Sequence, residues 1–179
     1  VGARQFQVSP GCYFPISPAA AGKLIETVLR YANLNDSDIV IEGYAGVGTL
    51  TAFLAPHCGE LHAIEVNPNA IEDMAVNLDD TENVAAYEGF VEEVLPDLAI
   101  QPDVLIVHPD DDGLSEFAMR AVAQNRPKTL ITIYGNVAKM ARDSRERVRA
   151  GFQPIEFQPV DTQPQTYYTE VVGLWRWGR

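Results

Sequence analysis

The sequence predicts an α/β fold: a mostly parallel sheet flanked by helices and closed by a C-terminal antiparallel β-hairpin. Three observations carry that expectation. Short apolar runs alternate with helix-period segments along most of the chain. The run Ile39 to Glu42 leads into a glycine-punctuated turn that opens a helix, and the stretches Phe152 to Val160 and Thr169 to Trp177 follow one another with no helix between them. The 179 residues are 46% hydrophobic and 21% charged, enough for one globular core and short for two. A single domain over 1–179 is expected, with a hairpin at 1–16 and the alternating core at 17–179.

Taken in order, Arg4 to Val8 and Tyr13 to Ile16 read as a hairpin around Ser9-Pro10-Gly11, where proline presets the turn. Ser17 is placed to N-cap a helix with Pro18 in its first position, and Leu24, Ile25, Val28, Leu29 and Ala32 form its apolar face up to Asn33. Strand Ile39 to Glu42, helix Val47 to Ala55 stopped by Pro56, and strand Leu61 to Glu65 come next. Asn67 caps a helix Pro68 to Asp79 whose buried stripe is read as Ile71, Met74, Ala75 and Leu78. A short strand near Ala85 to Tyr87, a helix Val91 to Leu98 and the apolar run Val104 to Val107 continue the alternation. Uninterrupted apolar runs suit strands covered on both faces. Helix Ser115 to Asn125, strand Thr129 to Tyr134 and helix Val137 to Ala150 complete the repeating part.

The glycine turn points to a cofactor. Its order, G-x-x-G-x-G from Gly43 through Gly46 to Gly48, differs from the G-x-G-x-x-G of pyrophosphate loops, and Glu42 stands just before it. A carboxylate there disfavours a pyrophosphate and suits a cationic ligand, so S-adenosylmethionine fits better than a nicotinamide dinucleotide. Glu65, ending the next strand, is placed to accept both hydroxyls of a ribose. A βα domain closed by a hairpin is also the layout of the class I, S-adenosylmethionine-dependent methyltransferases, a Rossmann-like fold, whereas dinucleotide dehydrogenases continue with helices.

A formal charge of −12 works against unaided binding to a phosphate backbone. Lys139, Arg142, Arg145, Arg147 and Arg149 gather on one predicted helix, either as a phosphate-facing stripe or, as the plainer reading has it, as a solvated face balanced by Asp143 and Glu146. Cys12 and Cys58, far apart, fit a reducing cytoplasmic compartment. His57, Cys58 and His62 have no recognised ligand spacing and Asp110 to Asp112 reads as a solvated loop, so no metal site is expected. No leader or membrane span is apparent.

Three ordered motifs give a more specific kinship. Glu42 to Thr49 (EGYAGVGT), Asn136 to Asp143 (NVAKMARD) and Val160 to Glu170 (VDTQPQTYYTE) resemble D-L-Y/F-C-G-x-G-T/N, N-P-A-T-L-A-R-D and V-D-M-F-P-Q-T-x-H-x-E of the uracil-5 RNA methyltransferases, which modify tRNA and 23S rRNA. The resemblance covers nearly the whole chain. It implies that Glu42, Tyr44, Gly46, Gly48, Thr49, Glu65, Phe90 and His108 stand at the cofactor, with S-adenosylmethionine as methyl donor and RNA as partner. It also implies an N-terminal RNA-binding domain that these residues do not contain.

In that family a cysteine adds to uracil C6, the resulting enolate attacks the methyl group, and a glutamate removes the C5 proton. The resemblance makes Glu170 the counterpart of that base. At the position of the cysteine, immediately before Asn136, stands Gly135, which has no nucleophile to offer. Other departures accompany it: D-P-P-R becomes His108-Pro109-Asp110-Asp111, F-Q-V-N becomes Phe14-Pro15-Ile16-Ser17, and a G-D pair becomes Gly89-Phe90. Cys12 is the remaining thiol near the expected pocket. Two functions follow as expectations: an RNA methyltransferase-like domain without the cysteine mechanism, or a non-catalytic cofactor-binding or scaffold domain. A nicotinamide oxidoreductase is a distant third.

Overall fold

The computed structural model describes residues 1–166 and 168–178. In chain order the elements are α1 (Pro18–Ala32), β1 (Ile39–Gly43), α2 (Thr51–Leu54), β2 (Glu60–Glu65), α3 (Pro68–Asn77), β3 (Val84–Glu88), α4 (Val91–Asp97), β4 (Val104–Val107), α5 (Glu116–Asn125), β5 (Thr129–Tyr134), α6 (Val137–Ala150), β6 (Phe152–Val160) and β7 (Glu170–Trp177). One seven-stranded sheet runs in the order β3-β2-β1-β4-β5-β7-β6. The first five are parallel, and β7 pairs antiparallel with both β5 and β6.

Side chains alternating along each strand feed two cores, because neighbouring residues point to opposite faces of a sheet. Val40, Leu61, Ala63, Val104, Ile106, Ile131 and Ile133 pack against α1, α2 and α3 through Leu24, Val28, Leu54 and Met74. Ile41, Ile64, Leu105, Val107 and Leu130 pack on the other face against Leu95, Ala118 and Val122 of α4 and α5. The chain order reverses between β1 and β4, which opens the crevice where α/β sheets take ligands at the carboxyl ends of their strands.

Several helix ends follow their predicted chemistry. The Ser17 hydroxyl accepts from Ala20 N–H with Pro18 in the first turn, and Asn33 closes α1 in the left-handed conformation. Asn67, Ser115 and Asn136 cap α3, α5 and α6 in the same way.

Three expectations need correction. The predicted N-terminal hairpin is absent: no strand is assigned in residues 1–16, although Pro10 and Gly11 do turn. The backbone of this segment bonds instead to α3, where Asn77 Oδ1 accepts from Gln7 N at 2.6 Å, Asn77 Nδ2 donates to Gln7 O at 3.0 Å and Asp73 Oδ2 accepts from Ser9 N at 2.5 Å. The same contacts revise the stripe of α3. Asp73 and Asn77 are buried with Ala70 and Met74, while Ala75 is exposed. Finally, the helix predicted over Val47 to Ala55 is a single α-turn, α2, preceded by an irregular turn and followed by a 3-10 turn at Ala55–His57. Left-handed backbone at Gly46 and Gly48 delays its start, and Pro56 tightens its end.

Candidate functional site

The turn between β1 and α2 is built around two glycines. Gly48, at φ +80, leaves no room for a side chain, since a Cβ there would lie 2.8 Å from Met74 Cγ. Gly46, at φ +58, faces the Tyr13 carbonyl at 4.0 Å from where its Cβ would be. Tyr44 takes φ +64 without being glycine, a conformation uncommon for a bulky residue and frequent at ligand sites.

Glu65 ties the turn to the next strand. Its Oε2 accepts from Gly46 N–H at 2.8 Å and its Oε1 from Asn67 N–H at 2.8 Å. Each carboxylate oxygen retains a further acceptor site, and the residue is part-exposed, so a diol reaching it would find acceptors already oriented. Glu42 is different in kind. It is buried, its Oε2 accepts from the Thr51 hydroxyl at 2.8 Å, and burial pushes its carboxyl up to about 8. At neutral pH Glu42 is thus mostly protonated in the ligand-free protein, and a nearby cation would favour its ionisation.

Two openings meet at Tyr44. On one side lies a small cavity of about 50 Å³, whose walls include Tyr13, Pro15, Glu42, Gly46, Thr49 and His108. On the other lies an open cleft of about 990 Å³, bordered by Phe90, Glu92, Asp110, Lys139 and Arg142. Phe90, 54% exposed, presents a bare aromatic ring at the start of α4.

The third part of the site lies at the ends of β4, β5 and β7. His108 donates its backbone N–H to Gly43 O at 3.3 Å, and its Nε2 lies 2.8 Å from Glu170 Oε1. The Tyr13 ring meets the His108 ring edge-on, centroids 5.9 Å apart. Burial penalises the Glu170 charge, yet the contact with His108, helped by Thr162 and Tyr13, outweighs it and holds the carboxyl below its usual range. Gly135 follows β5 beside the exposed loop Asp110 to Asp112. A Cβ on it would come within 3.3 Å of Asp111 Oδ1, and Asn136 Nδ2 donates to Asp111 O at 3.3 Å.

The structure therefore brings Glu42, Tyr44, Gly46, Thr49 and His108 to one cavity, with Glu65 bonded to its glycine turn, Phe90 on the adjoining cleft and Glu170 on His108. Cys12 lies on the α3 side of the turn, where Asn67 Nδ2 donates to its sulfur at 3.8 Å. Burial and the carboxylates of Asp73 and Glu65 push that thiol up, which makes it a poor nucleophile. His62 of the supposed metal trio contacts the Tyr87 hydroxyl at 3.0 Å, and no group of three His, Cys, Asp or Glu is arranged for a metal among the described residues. Tyr13 and Thr51 were missed by sequence reasoning. A threonine nine residues beyond Glu42 is a faint signal for the second, while Tyr13 arrives from a distant segment.

The basic stripe of α6 is largely the solvated face of the plainer reading, with Arg142 paired to Asp143 and Arg149 to Glu146, and Arg147 is the exception. Arg147 is fully buried, bonded to the Tyr134 hydroxyl and lying over the Tyr134 and Trp175 rings. Asp143, also buried, accepts from Tyr134 OH, Leu114 N–H and Arg142 Nε–H. Lys139 pairs with Asp112 and Arg149 with Glu146. Among the described residues no helix is long and apolar enough to cross a membrane.

No protein-family model matches the sequence. An RNA methyltransferase of Oceanobacillus iheyensis, described as uncharacterized, is 33% identical over 97% of this chain and 39% of its own length. Another, from Enterococcus faecalis, is 32% identical over 95% of this chain and 38% of its own length. The chain thus spans under two-fifths of the relatives it matches. Among solved structures, a Pyrococcus abyssi tRNA (uracil-54, C5)-methyltransferase in complex with S-adenosyl-L-homocysteine superposes with a TM-score of 0.82 at 22% identity, covering 95% of this chain and 41% of that one. The N-methyltransferase NodS of Bradyrhizobium japonicum, also with S-adenosyl-L-homocysteine, gives 0.77 at 16% identity over 92% and 90% of the two chains. At these identities the likeness is one of fold, the class I Rossmann-like methyltransferase fold with its terminal antiparallel pair.

Proposed function

We propose, from the premise that this chain is a domain of the RNA uracil-5 methyltransferase kind, that it binds S-adenosylmethionine and serves RNA methylation without a cysteine adduct. One observation carries the reading: an intact glycine turn, held by Glu65 and backed by buried Glu42, stands beside a position, Gly135, that has no nucleophile.

The residues present fit the cofactor. Glu65 offers oriented acceptors to ribose hydroxyls, and Glu42 offers a proton-exchanging carboxyl to the cationic methionine end. Gly46 and Gly48 let backbone approach, Thr49 adds a hydroxyl, and Tyr44 with Phe90 supplies aromatic surface for a base. S-adenosylmethionine, when bound, supplies an electrophilic methyl group on a sulfonium. With no thiol at residue 135 to activate uracil C5, the acceptor is a more nucleophilic atom, an exocyclic nitrogen or a ribose oxygen.

Pro15, standing where the family has a glutamine amide, favours a second reading: a domain that binds the cofactor and acts as a scaffold. Titration with S-adenosylhomocysteine, followed by transfer of isotope-labelled methyl to total RNA, separates the two. Binding with labelled RNA supports the first reading. Binding without product at high protein concentration supports the scaffold, and no binding removes both.

A further inference from the structure

We infer that His108 is the general base of a methyl transfer to an O–H or N–H group, with Glu170 as the positioning residue that orients it. The inference rests on the cofactor-binding reading above and adds the acceptor chemistry and the residue that takes the proton.

Position comes first. His108 stands at the end of β4, next to β1 in the sheet, and its backbone bonds to Gly43 at the entrance of the glycine turn. Its side chain shares one cavity with Glu42, Gly46 and Thr49.

Tautomer comes second. Glu170 Oε1 faces the His108 ring, and a carboxylate only accepts. The contact of 2.8 Å therefore places the proton on His108 Nε2. In the neutral imidazole that leaves the Nδ1 lone pair free, and no side chain or backbone group bonds to Nδ1 among the described residues. A carboxylate fixing one ring nitrogen so that the other can take a proton is the arrangement that makes histidine an effective base.

Displacement of roles comes third. Glu170, the counterpart of the carbon-acid base in the uracil-5 enzymes, is committed to His108, and Gly135 supplies no adduct for it to resolve. A lone pair on the acceptor oxygen or nitrogen forms the bond to the methyl carbon, while the carbon–sulfur bond breaks and its electron pair goes to sulfur. The acceptor's proton passes to His108 Nδ1 and then to water. No oxidant, metal or covalent enzyme intermediate enters the balance.

The test has two readouts. In the protein without cofactor, nitrogen-15 NMR above neutral pH is expected to show the His108 ring fixed in the Nε2–H tautomer, and Glu170→Ala to relax it toward the tautomer mixture of free imidazole. A ring protonated at Nδ1 overturns the assignment. In labelled-methyl assays on total RNA, digestion to nucleosides is expected to place the label on ribose oxygen or a base nitrogen. His108→Ala is expected to lower the rate about 10²–10⁴-fold with S-adenosylhomocysteine affinity unchanged, and added imidazole to restore part of it. Label on uracil C5, an undiminished rate in His108→Ala, or intact cofactor binding with no transfer overturns the base while sparing the cofactor reading. Absence of cofactor binding overturns the reading itself, and the inference with it.

Discussion

Glu42 enters the folded protein at a cost that depends on pH. Its carboxyl is pushed from 4.5 up to about 8 by burial, the Thr51 bond offsetting only part of the effect. Below the unfolded value both states are protonated and the full stability is present. As pH rises from about 4.5 toward 8 the unfolded chain releases a proton that the folded one keeps, so stability falls, by an amount on the order of 5 kcal/mol in the limit. Glu42→Gln keeps an acceptor for Thr51 and removes that slope. Urea unfolding is expected to find the variant no more stable than the parent near pH 5 and clearly more stable at pH 8; equal midpoints at both would refute a protonated Glu42. Gly135 supports a second prediction at this scale. Its backbone is not left-handed, so Gly135→Cys should fold, but the new side chain starts 3.3 Å from Asp111 Oδ1, where a thiolate is disfavoured. Mass spectrometry of treated RNA should find no 5-methyluridine. Its appearance would show that the missing thiol is the sole barrier.

Among the elements, α6 forms over the residues predicted for it but buries one of its cations. A run of cations at helical spacing looks like a solvated or phosphate-facing stripe, and nothing local to it reveals that Arg147 turns inward onto Tyr134 and Trp175. That burial depends on β7 lying antiparallel beside β5, a long-range fact. Asp143 is the centre of the cluster. Asp143→Ala strands the buried Leu114 N–H and the Tyr134 hydroxyl that Arg147 bonds to, and is expected to cost about 3 kcal/mol of unfolding free energy. Arg147→Met, which removes a buried guanidinium whose Nε and Nη1 lack partners, should cost under about 1 kcal/mol or stabilise. Chemical denaturation of the two variants checks the ordering, and a larger loss in Arg147→Met would reverse it. The N-terminal segment teaches the same lesson. Ser9-Pro10-Gly11 correctly marks a turn, but the residues before it find their hydrogen bonds on Asp73 and Asn77 of α3 rather than on the residues after it. Turn chemistry is local; the choice of partner is not.

At the scale of the molecule, the alternation of apolar runs with helix-period segments made the sheet readable, because buried parallel strands and amphipathic helices each leave a period in the chain. The gathering of Glu42, Gly46, Gly48 and Glu65 around one turn was equally legible, since they belong to strand ends and that turn. The His108–Glu170 contact was not, because it joins β4 to β7 across β5 and no spacing encodes it. The overall charge of −12, with Arg147 buried and Lys139, Arg142 and Arg149 each paired with a carboxylate, predicts weak binding of this chain alone to RNA, weakening further with salt. Tight, salt-resistant binding in a filter assay would contradict that. The proposed function requires that the glycine turn be a working cofactor site. Isothermal titration of the protein with S-adenosylhomocysteine tests this most directly: one site per chain is predicted, abolished in Glu65→Ala, and an absence of binding heat, or heat that survives that substitution, would contradict it.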